Sequence, residues 1–178
     1  MTTIYMLVGL PGTGKSTWTD RFKRRYREEQ SHLAFKTNQP LEWNLSVIST
    51  DNIIQSIADE HRLTYNQIFD NLTYSFAEKM THKLSKFAFE RNDIVIWDQT
   101  NLTIKSRAKK LALVPSHYKK VCVMFGIPED LAERLKSRVG KHIPDDVMMR
   151  MIKTYQYPTT TEGFDDIISS IDKIEKYT

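Results

Sequence analysis

The sequence has few of the residues and patterns that define several classes of protein. Its single cysteine, Cys122, excludes a disulfide framework and a cysteine-based zinc site, and it suits a reducing compartment. Six glycines and six prolines are too few for a collagen-like or low-complexity chain. No apolar run approaches the roughly 18 residues of a membrane-spanning helix. Residues 4–10 are apolar but lack the basic flank of a signal peptide, so we expect a cytoplasmic protein without a membrane partner.

The 178 residues that are present suit one compact domain spanning residues 1–178. Hydrophobic residues make up 40% of the chain, which is enough to form a core. Twenty-six Lys and Arg against 22 Asp and Glu give a net charge of +4, which suits a phosphate-bearing partner without requiring one. The basic run at 21–27 is interpreted as a solvated helix face, with nucleic-acid contact as the alternative.

A phosphate-binding motif follows the first apolar run, at 4–8, which predicts a strand buried on both faces. Residues 9–17 match G-x-x-x-x-G-K-[ST], the P-loop. The glycines permit a turn whose N–H groups face an anion, Lys15 adds charge for the β- and γ-phosphates, and Ser16 offers a hydroxyl to Mg²⁺. The motif therefore predicts an ATP site formed by Gly9, Gly12, Thr13, Gly14, Lys15, Ser16 and Thr17.

Strand and helix patterns alternate along the rest of the chain. Three further strands are predicted at 47–49, 94–97 and 118–126, and the tail at 167–171 reads as a fifth strand or a short helix. Helices are predicted at 15–30, 52–60, 66–90, 104–114, 128–139 and 145–155, while residues 31–44 read as a long connection. Such alternation predicts an α/β fold, with a parallel sheet of about four or five strands and helices on both faces.

Three separate segments are expected to converge on one crevice, because ligands bind at the carboxyl ends of parallel strands. Gly9, Asp51 and Asp98 each follow a predicted strand. Asp51 is placed to accept a proton from an attacking hydroxyl, and capping of a helix is the alternative. Asp98 ends an apolar strand as a Walker-B aspartate does, so it is predicted to hold Mg²⁺ together with Ser16.

Four further polar residues are candidates for phosphate contact. Thr100 and Asn101 either bind a substrate phosphate or cap the next helix. Arg134 and Arg138 are spaced i, i+4 on one predicted helix, where guanidinium groups stabilise a transferring phosphoryl group. The alternative for both arginines is a surface salt-bridge face with neighbouring acidic residues. With Lys141, the two arginines lie in a predicted lid at about 134–144.

These segments together resemble the kinase domain of phage-type 5′-hydroxyl polynucleotide kinases, without the phosphatase domain. The likeness rests on residues 9–18, on 49–51, on 98–102, and on Arg138 with Pro144 six positions later. It covers nearly the whole chain. It implies a P-loop kinase that uses ATP and Mg²⁺ to phosphorylate the 5′-hydroxyl of a DNA or RNA end.

The resemblance also implies roles for single residues. It makes Lys15 and Ser16 ligands of the ATP phosphates and Mg²⁺, and Asp51 the general base on the 5′-hydroxyl. It makes Thr100 a contact of the acceptor-side phosphate. Arg138 would be the lid arginine on the β- and γ-phosphates, and Arg134 would support it.

The resemblance further implies nucleic acid repair in a bacterium or a phage-infected cell, with an RNA or DNA ligase as a pathway partner. It leaves oligomerisation open. The sequence departs from the family at Ile54, where an arginine often grips the acceptor's 3′-phosphate, and at Gln99, where an aspartate is frequent. Groups in the 31–44 segment are hypothesised to replace that arginine, namely His32, Phe35, Lys36 and Trp43.

Two other functions stay open at this point. A kinase of a small metabolite or nucleotide would use the same ATP machinery and differ only in its acceptor site. A non-kinase ATP-binding switch would lack a base aimed at an acceptor, so Asp51 argues against it. An open, basic crevice beyond Asp51 favours a nucleic acid end, and a closed pocket favours a small metabolite.

Overall fold

A computed structural model describes residues 2–41, 43–71, 74–91, 94–138 and 143–170. Within these ranges no helix combines the length and apolarity needed to cross a bilayer. Residues 139–142 lie outside the described part, and with them Lys141 and the middle of the predicted lid.

The centre of the molecule is a five-stranded sheet in which all neighbouring strands pair in parallel. Its order is β2-β3-β1-β4-β5. The strands are β1 at Thr3–Val8, β2 at Leu45–Ile48, β3 at Ile94–Trp97, β4 at Lys119–Met124 and β5 at Asp166–Ser169. The predicted α/β fold is confirmed, and the tail forms the fifth strand. Central β1 is buried along its whole length, as its apolar sequence predicts.

Helices cover both faces of the sheet. They are α1 at Lys15–Thr37, α2 at Thr50–His61, α3 at Tyr65–Asn71, α4 at Tyr74–Arg91, α5 at Ile104–Leu111, α6 at Leu131–Lys136 and α7 at Asp145–Thr154, with a 3-10 helix at Thr160–Glu162. On one face Trp18 and Phe22 of α1 pack against Tyr5. On the other, Ala88 of α4 packs in a cluster with Trp97 and the buried, inert thiol of Cys122.

The predicted connection at 31–44 is wrong for its first half, because α1 continues to Thr37. No glycine or proline interrupts residues 31–37. The helix ends where Asn38 adopts a left-handed conformation, φ 52°, and its N–H bonds to the Ala34 carbonyl oxygen. Arg21, Arg24 and Arg27 of the basic run are exposed, as a solvated face predicts.

The predicted helix at 66–90 is observed as α3 and α4, on either side of residues 72 and 73, which lie outside the described part. The helical spacing of apolar residues also predicts that Phe76, Phe87 and Ala88 pack in the core. Ala88 is buried, but Phe76 and Phe87 are 41% and 53% exposed. Ser85, which the apolar pattern does not include, is buried as well.

A buried ion pair ties α5 to the 3-10 helix at Thr160–Glu162. The Arg107 side chain is fully buried and donates two hydrogen bonds to Glu162, at 2.7 and 2.8 Å. Arg107 also donates to the carbonyl oxygens of Asn101, at 3.0 Å, and Gln156, at 2.9 Å. It therefore fixes the loop that follows β3. Burial raises the pKa of Glu162, but the hydrogen bonds from Arg107 and the Thr159 N–H outweigh it and lower the pKa overall.

We expect the substitution Glu162→Gln to lower the free energy of unfolding by about 3–5 kcal/mol, because it leaves the Arg107 charge buried without its counter-ion. The measurement is chemical denaturation at pH 7. Since the pKa of Glu162 is lowered, the wild-type advantage should persist above pH 4.5 and shrink as the pH falls below that value. Exposed Asp146, which pairs with Arg150, is the control, and its substitution with Asn should change stability by under about 1 kcal/mol.

Candidate active site

The loop between β1 and α1 has the backbone of an anion nest. Gly12 and Gly14 adopt φ values of 83° and 94°, which residues that carry a Cβ rarely adopt. Gly9 is required by proximity, because a Cβ there would lie 2.7 Å from the Cβ of Phe125. The Thr13 hydroxyl donates to the Leu10 carbonyl oxygen at 2.8 Å and closes the turn. The loop thus directs backbone N–H groups and the start of α1 toward one point.

Lys15 is held inside this loop. Its Nζ donates to the carbonyl oxygens of Gly9, at 2.9 Å, and Leu10, at 2.7 Å. Burial lowers the pKa of Lys15 to about 8, although the nearby carboxylates of Asp98 and Asp51 act in the opposite direction. The ammonium is therefore poorly solvated and would gain from the negative charge of a phosphate. Ser16 and Thr17 are exposed in the first turn of α1.

Asp98 lies just past β3 and faces the same loop. The Thr19 hydroxyl of α1 lies 3.4 Å from its Oδ2. Burial raises the pKa of Asp98, while the charge of Lys15 lowers it. No group of three or more His, Cys, Asp or Glu in the described ranges is arranged to hold a metal ion by itself. One carboxylate and the Ser16 hydroxyl fit Mg²⁺, which is typically bound by one or two protein oxygens, phosphate and water.

Asp51 is not the cap of its helix. The hydroxyl of Ser49 accepts the hydrogen bond from the Asn52 N–H at 3.3 Å and caps α2. The Asp51 carboxylate instead accepts a hydrogen bond from the Tyr65 hydroxyl at 2.8 Å and lies 3.9 Å from a guanidinium nitrogen of Arg138. Its side chain is 51% exposed. The capping alternative is therefore excluded, and the carboxylate is directed at the crevice.

The two candidate arginines have different surroundings. Arg138 faces Asp51 and influences the pKa of Lys15, so it lies at the phosphate end of the crevice. Arg134 donates to Asp130 at 2.7 Å in an exposed i, i+4 pair. The structure thus gives Arg134 the surface salt bridge that was the alternative to phosphate binding, because its charge is directed along α6 rather than into the crevice.

The turn after β3 contains Asn101 and Thr100 and lies beside the P-loop. Asn101 is 1% exposed and left-handed, with φ 50°, and its amide donates to the Leu7 carbonyl oxygen at 2.7 Å. Its side-chain oxygen accepts from Lys110. These bonds engage the buried side chain, which favours a structural role for Asn101 in the turn over the predicted substrate contact. The Thr100 carbonyl oxygen accepts from the Gly9 N–H at 3.0 Å, which places half-buried Thr100 beside the P-loop. Thr103, not Thr100 or Asn101, caps α5.

The groups hypothesised to replace the missing acceptor arginine lie elsewhere. Ile54 itself is 2% exposed and faces the core. Phe35 and Lys36 are about 30 Å of helix beyond Lys15. Trp43 packs on α1, with its ring 5.5 Å from that of Tyr26 and under the guanidinium of Arg27 at 5.2 Å. These positions argue against Phe35, Lys36 and Trp43 as replacements for the arginine.

Tyr65, which contacts Asp51, is not among the site residues predicted from the sequence. The only signal in the sequence is an aromatic pair, Tyr65 and Phe69, spaced i, i+4 at the start of a helical pattern. That spacing predicts that the two rings share one face of a helix. It does not show that the face lies beside Asp51.

Comparison with known families and curated proteins places the chain in a broader group. The family model AAA_33, described as an AAA domain, matches residues 4–158. The chain is also similar to heterogeneous nuclear ribonucleoprotein U-like protein 2 of Homo sapiens, with 22% identity over 167 residues. The match covers 92% of this chain and 21% of that protein, so the chain spans about a fifth of the length of the curated relatives it matches.

Solved structures share the fold at low sequence identity. Kti12 of Chaetomium thermophilum, in complex with ADP-AlF3, has a TM-score of 0.61 at 18% identity, covering 97% of this chain and 92% of that one. Shikimate kinase of Bacteroides thetaiotaomicron has a TM-score of 0.52 at 17% identity, covering 97% and 90%. A chain of the Pnkp1/Rnl/Hen1 complex has a TM-score of 0.50 at 21% identity, covering 81% and 42%. The architecture is that of the P-loop kinase fold.

Proposed function

The chain belongs to the AAA domain family AAA_33, and from this premise we propose that it transfers the γ-phosphate of ATP to the 5′-hydroxyl of a DNA or RNA end. The observation that carries the proposal is the position of Asp51. Its half-exposed carboxylate shares one crevice with Lys15 of the P-loop and with Arg138. A base opposite a phosphate cradle suits phosphoryl transfer to an alcohol better than a nucleotide switch.

Three features support a nucleic acid end as the acceptor. The 51% exposure of Asp51 leaves room beyond the carboxylate, as the end of a polymer needs. The chain carries a net charge of +4. One relative is named a ribonucleoprotein, and one structural neighbour is a chain of the Pnkp1/Rnl/Hen1 complex. A small metabolite is the second candidate acceptor, because shikimate kinase has the same fold.

The proposed reaction is an in-line displacement at the γ-phosphorus. The acceptor oxygen forms a bond to phosphorus, its proton passes to the Asp51 carboxylate, and the bond to the β–γ bridging oxygen breaks to release ADP. Lys15 and Arg138 bind the phosphate oxygens and offset their growing charge. Mg²⁺, when held by Ser16 and Asp98, supplies further neutralisation of the phosphates. Positioning and charge stabilisation therefore provide most of the catalysis.

The test is incubation of the protein with γ-labelled ATP, Mg²⁺ and a panel of acceptors. The panel contains 5′-hydroxyl DNA and RNA oligonucleotides, nucleosides, sugars and shikimate. We expect the label to appear on the 5′-hydroxyl oligonucleotides. The same oligonucleotides with a 5′-phosphate are the controls, and they should acquire no label. Label on a sugar or on shikimate with none on oligonucleotides would favour the small-metabolite kinase. ATP hydrolysis without label on any acceptor would favour the switch.

We expect Arg138→Ala to lower kcat/KM for the acceptor by roughly 10²-fold, as removal of one charge-stabilising donor does. Arg134→Ala is the matched control on the same segment, and we expect it to change kcat/KM less than about 3-fold, because its charge is exposed and paired with Asp130. Steady-state kinetics with a 5′-hydroxyl oligonucleotide measure both. Equal losses in the two variants would show that Arg138 has no special role.

A further inference from the structure

Two aromatic rings of α3 lie beside the Asp51 carboxylate. The Tyr65 hydroxyl donates to Asp51 at 2.8 Å, and the Tyr65 ring is stacked on that of Phe69, with centroids 5.9 Å apart and planes at 15°. Phe69 is 56% exposed, while Tyr65 is half-buried. A stack of two rings therefore begins at the Asp51 carboxylate, and the exposed Phe69 ring forms its solvent-facing end.

The hydrogen bond orders this surface against the carboxylate. Burial and the charge of Asp51 raise the pKa of Tyr65, so its hydroxyl stays protonated and remains a donor. Because Phe69 follows Tyr65 at i+4, both rings project from one side of α3. Tyr65 thus fixes Asp51 at one end and aligns Phe69 at the other.

We propose that Tyr65 and Phe69 form an aromatic platform on which the terminal nucleobase of the acceptor stacks, with Tyr65 also positioning Asp51. This rests on the proposed function, whose acceptor site it completes. The base and the 5′-hydroxyl of one nucleotide are separated by a single ribose, which matches a platform adjoining the carboxylate. Stacking on an aromatic ring also tolerates every base, as an enzyme acting on arbitrary ends requires.

The surroundings favour this occupant. Arg138 lies 3.9 Å from Asp51 and provides positive charge for phosphate. Position 54, where the resemblance implies an arginine that binds the acceptor, is occupied by the buried Ile54. The ring of Phe87 is comparably exposed but lies under the Arg91 guanidinium, at 4.8 Å. Phe69 instead stacks on Tyr65, whose hydroxyl contacts the Asp51 carboxylate. The Tyr65–Phe69 pair therefore combines ring exposure with direct connection to the site.

The decisive experiment pairs one substitution with one substrate change. Phe69→Leu keeps an apolar side chain but removes the flat ring, and an oligonucleotide with an abasic 5′-terminal nucleotide removes the base. We expect Phe69→Leu to raise the acceptor KM about 10-fold on the normal oligonucleotide and less than 2-fold on the abasic one. The KM for ATP and kcat should stay within 2-fold. An equal rise in the acceptor KM on both oligonucleotides, or no rise on either, would overturn the proposed platform.

Three variants complete the test. Phe35→Leu removes the ring that is 88% exposed on α1, and it should leave every constant unchanged. Tyr65→Phe keeps the ring and removes the hydroxyl. It should lower kcat several-fold with the acceptor KM unchanged, whereas Tyr65→Leu should also raise KM. An unchanged kcat in Tyr65→Phe would remove the positioning role.

A binding measurement separates failure of the platform from failure of the proposed function. A 5′-terminal 2-aminopurine loses fluorescence when it stacks on an aromatic ring. We expect quenching with the wild type and none with Phe69→Leu. Phosphate transfer without this quenching would overturn the platform and leave the kinase intact. Quenching without phosphate transfer to any oligonucleotide would overturn the proposed kinase activity and would still support the base-stacking site.

Discussion

Replacing Lys15 with alanine is expected to lower kcat for phosphate transfer by about 10³-fold, the largest loss among the single substitutions considered. The ammonium sits within the P-loop, bonded to two carbonyl oxygens and largely removed from water. A charge in such surroundings interacts with phosphate more strongly than one in solvent does, and it needs no reorganisation during the reaction. Single-turnover assays with saturating ATP measure the loss in the chemical step.

The same substitution should change how ATP binding depends on pH. Because burial lowers the pKa of Lys15 to about 8, the free protein loses this positive charge as the pH rises through 8. ATP affinity should therefore fall between pH 7 and pH 9 in the wild type, and the Lys15→Ala protein should lack this inflection. Exposed Lys36 at the far end of α1 is the control, since Lys36→Ala should retain both the rate and the pH profile. A Lys15→Ala protein with wild-type kcat would show that the loop is not the phosphate cradle.

Much of the site could be predicted because its geometry is local. The P-loop is one contiguous segment, and its glycines and lysine specify a turn that follows a strand and precedes a helix. The ends of β2 and β3 are marked by apolar runs that stop at Ser49 and Asp98, so Asp51 and Asp98 could be assigned to one edge of the sheet. These placements need no knowledge of which helix packs against which.

The other features depend on contacts between distant parts of the chain. Arg134 and Arg138 are identical in type and share a predicted helix face, yet Arg134 pairs with Asp130 at the start of α6 and Arg138 with Asp51 across the crevice. Tyr65 and Asn101 likewise have roles set by tertiary partners. The end of α1 depends on the left-handed backbone of Asn38, which an asparagine permits but does not dictate.

Asp51→Asn should reduce kcat by roughly 10²-fold or more while ATP affinity stays unchanged or tightens slightly. An amide oxygen preserves an acceptor for the Tyr65 hydroxyl, so the change removes mainly the ability to take a proton. Loss of a negative charge near the phosphates also removes a repulsion, which is why binding should not weaken. Single-turnover transfer to a 5′-hydroxyl oligonucleotide gives the rate, and titration with a non-hydrolysable ATP analogue gives the affinity.

The control for this substitution lies two residues away. Ser49→Ala removes the cap of α2 and should cost about 1 kcal/mol of stability with little effect on kcat, because the carboxylate is untouched. If both variants lost activity equally, the defect would lie in α2 rather than in proton transfer. If Asp51→Asn kept a normal kcat, the acceptor proton would have to leave by another route, and phosphoryl transfer would depend on the P-loop and Arg138 alone. A large loss confined to Asp51→Asn, with slow ATP hydrolysis retained, is the outcome that a base aligning an alcohol with the γ-phosphate requires.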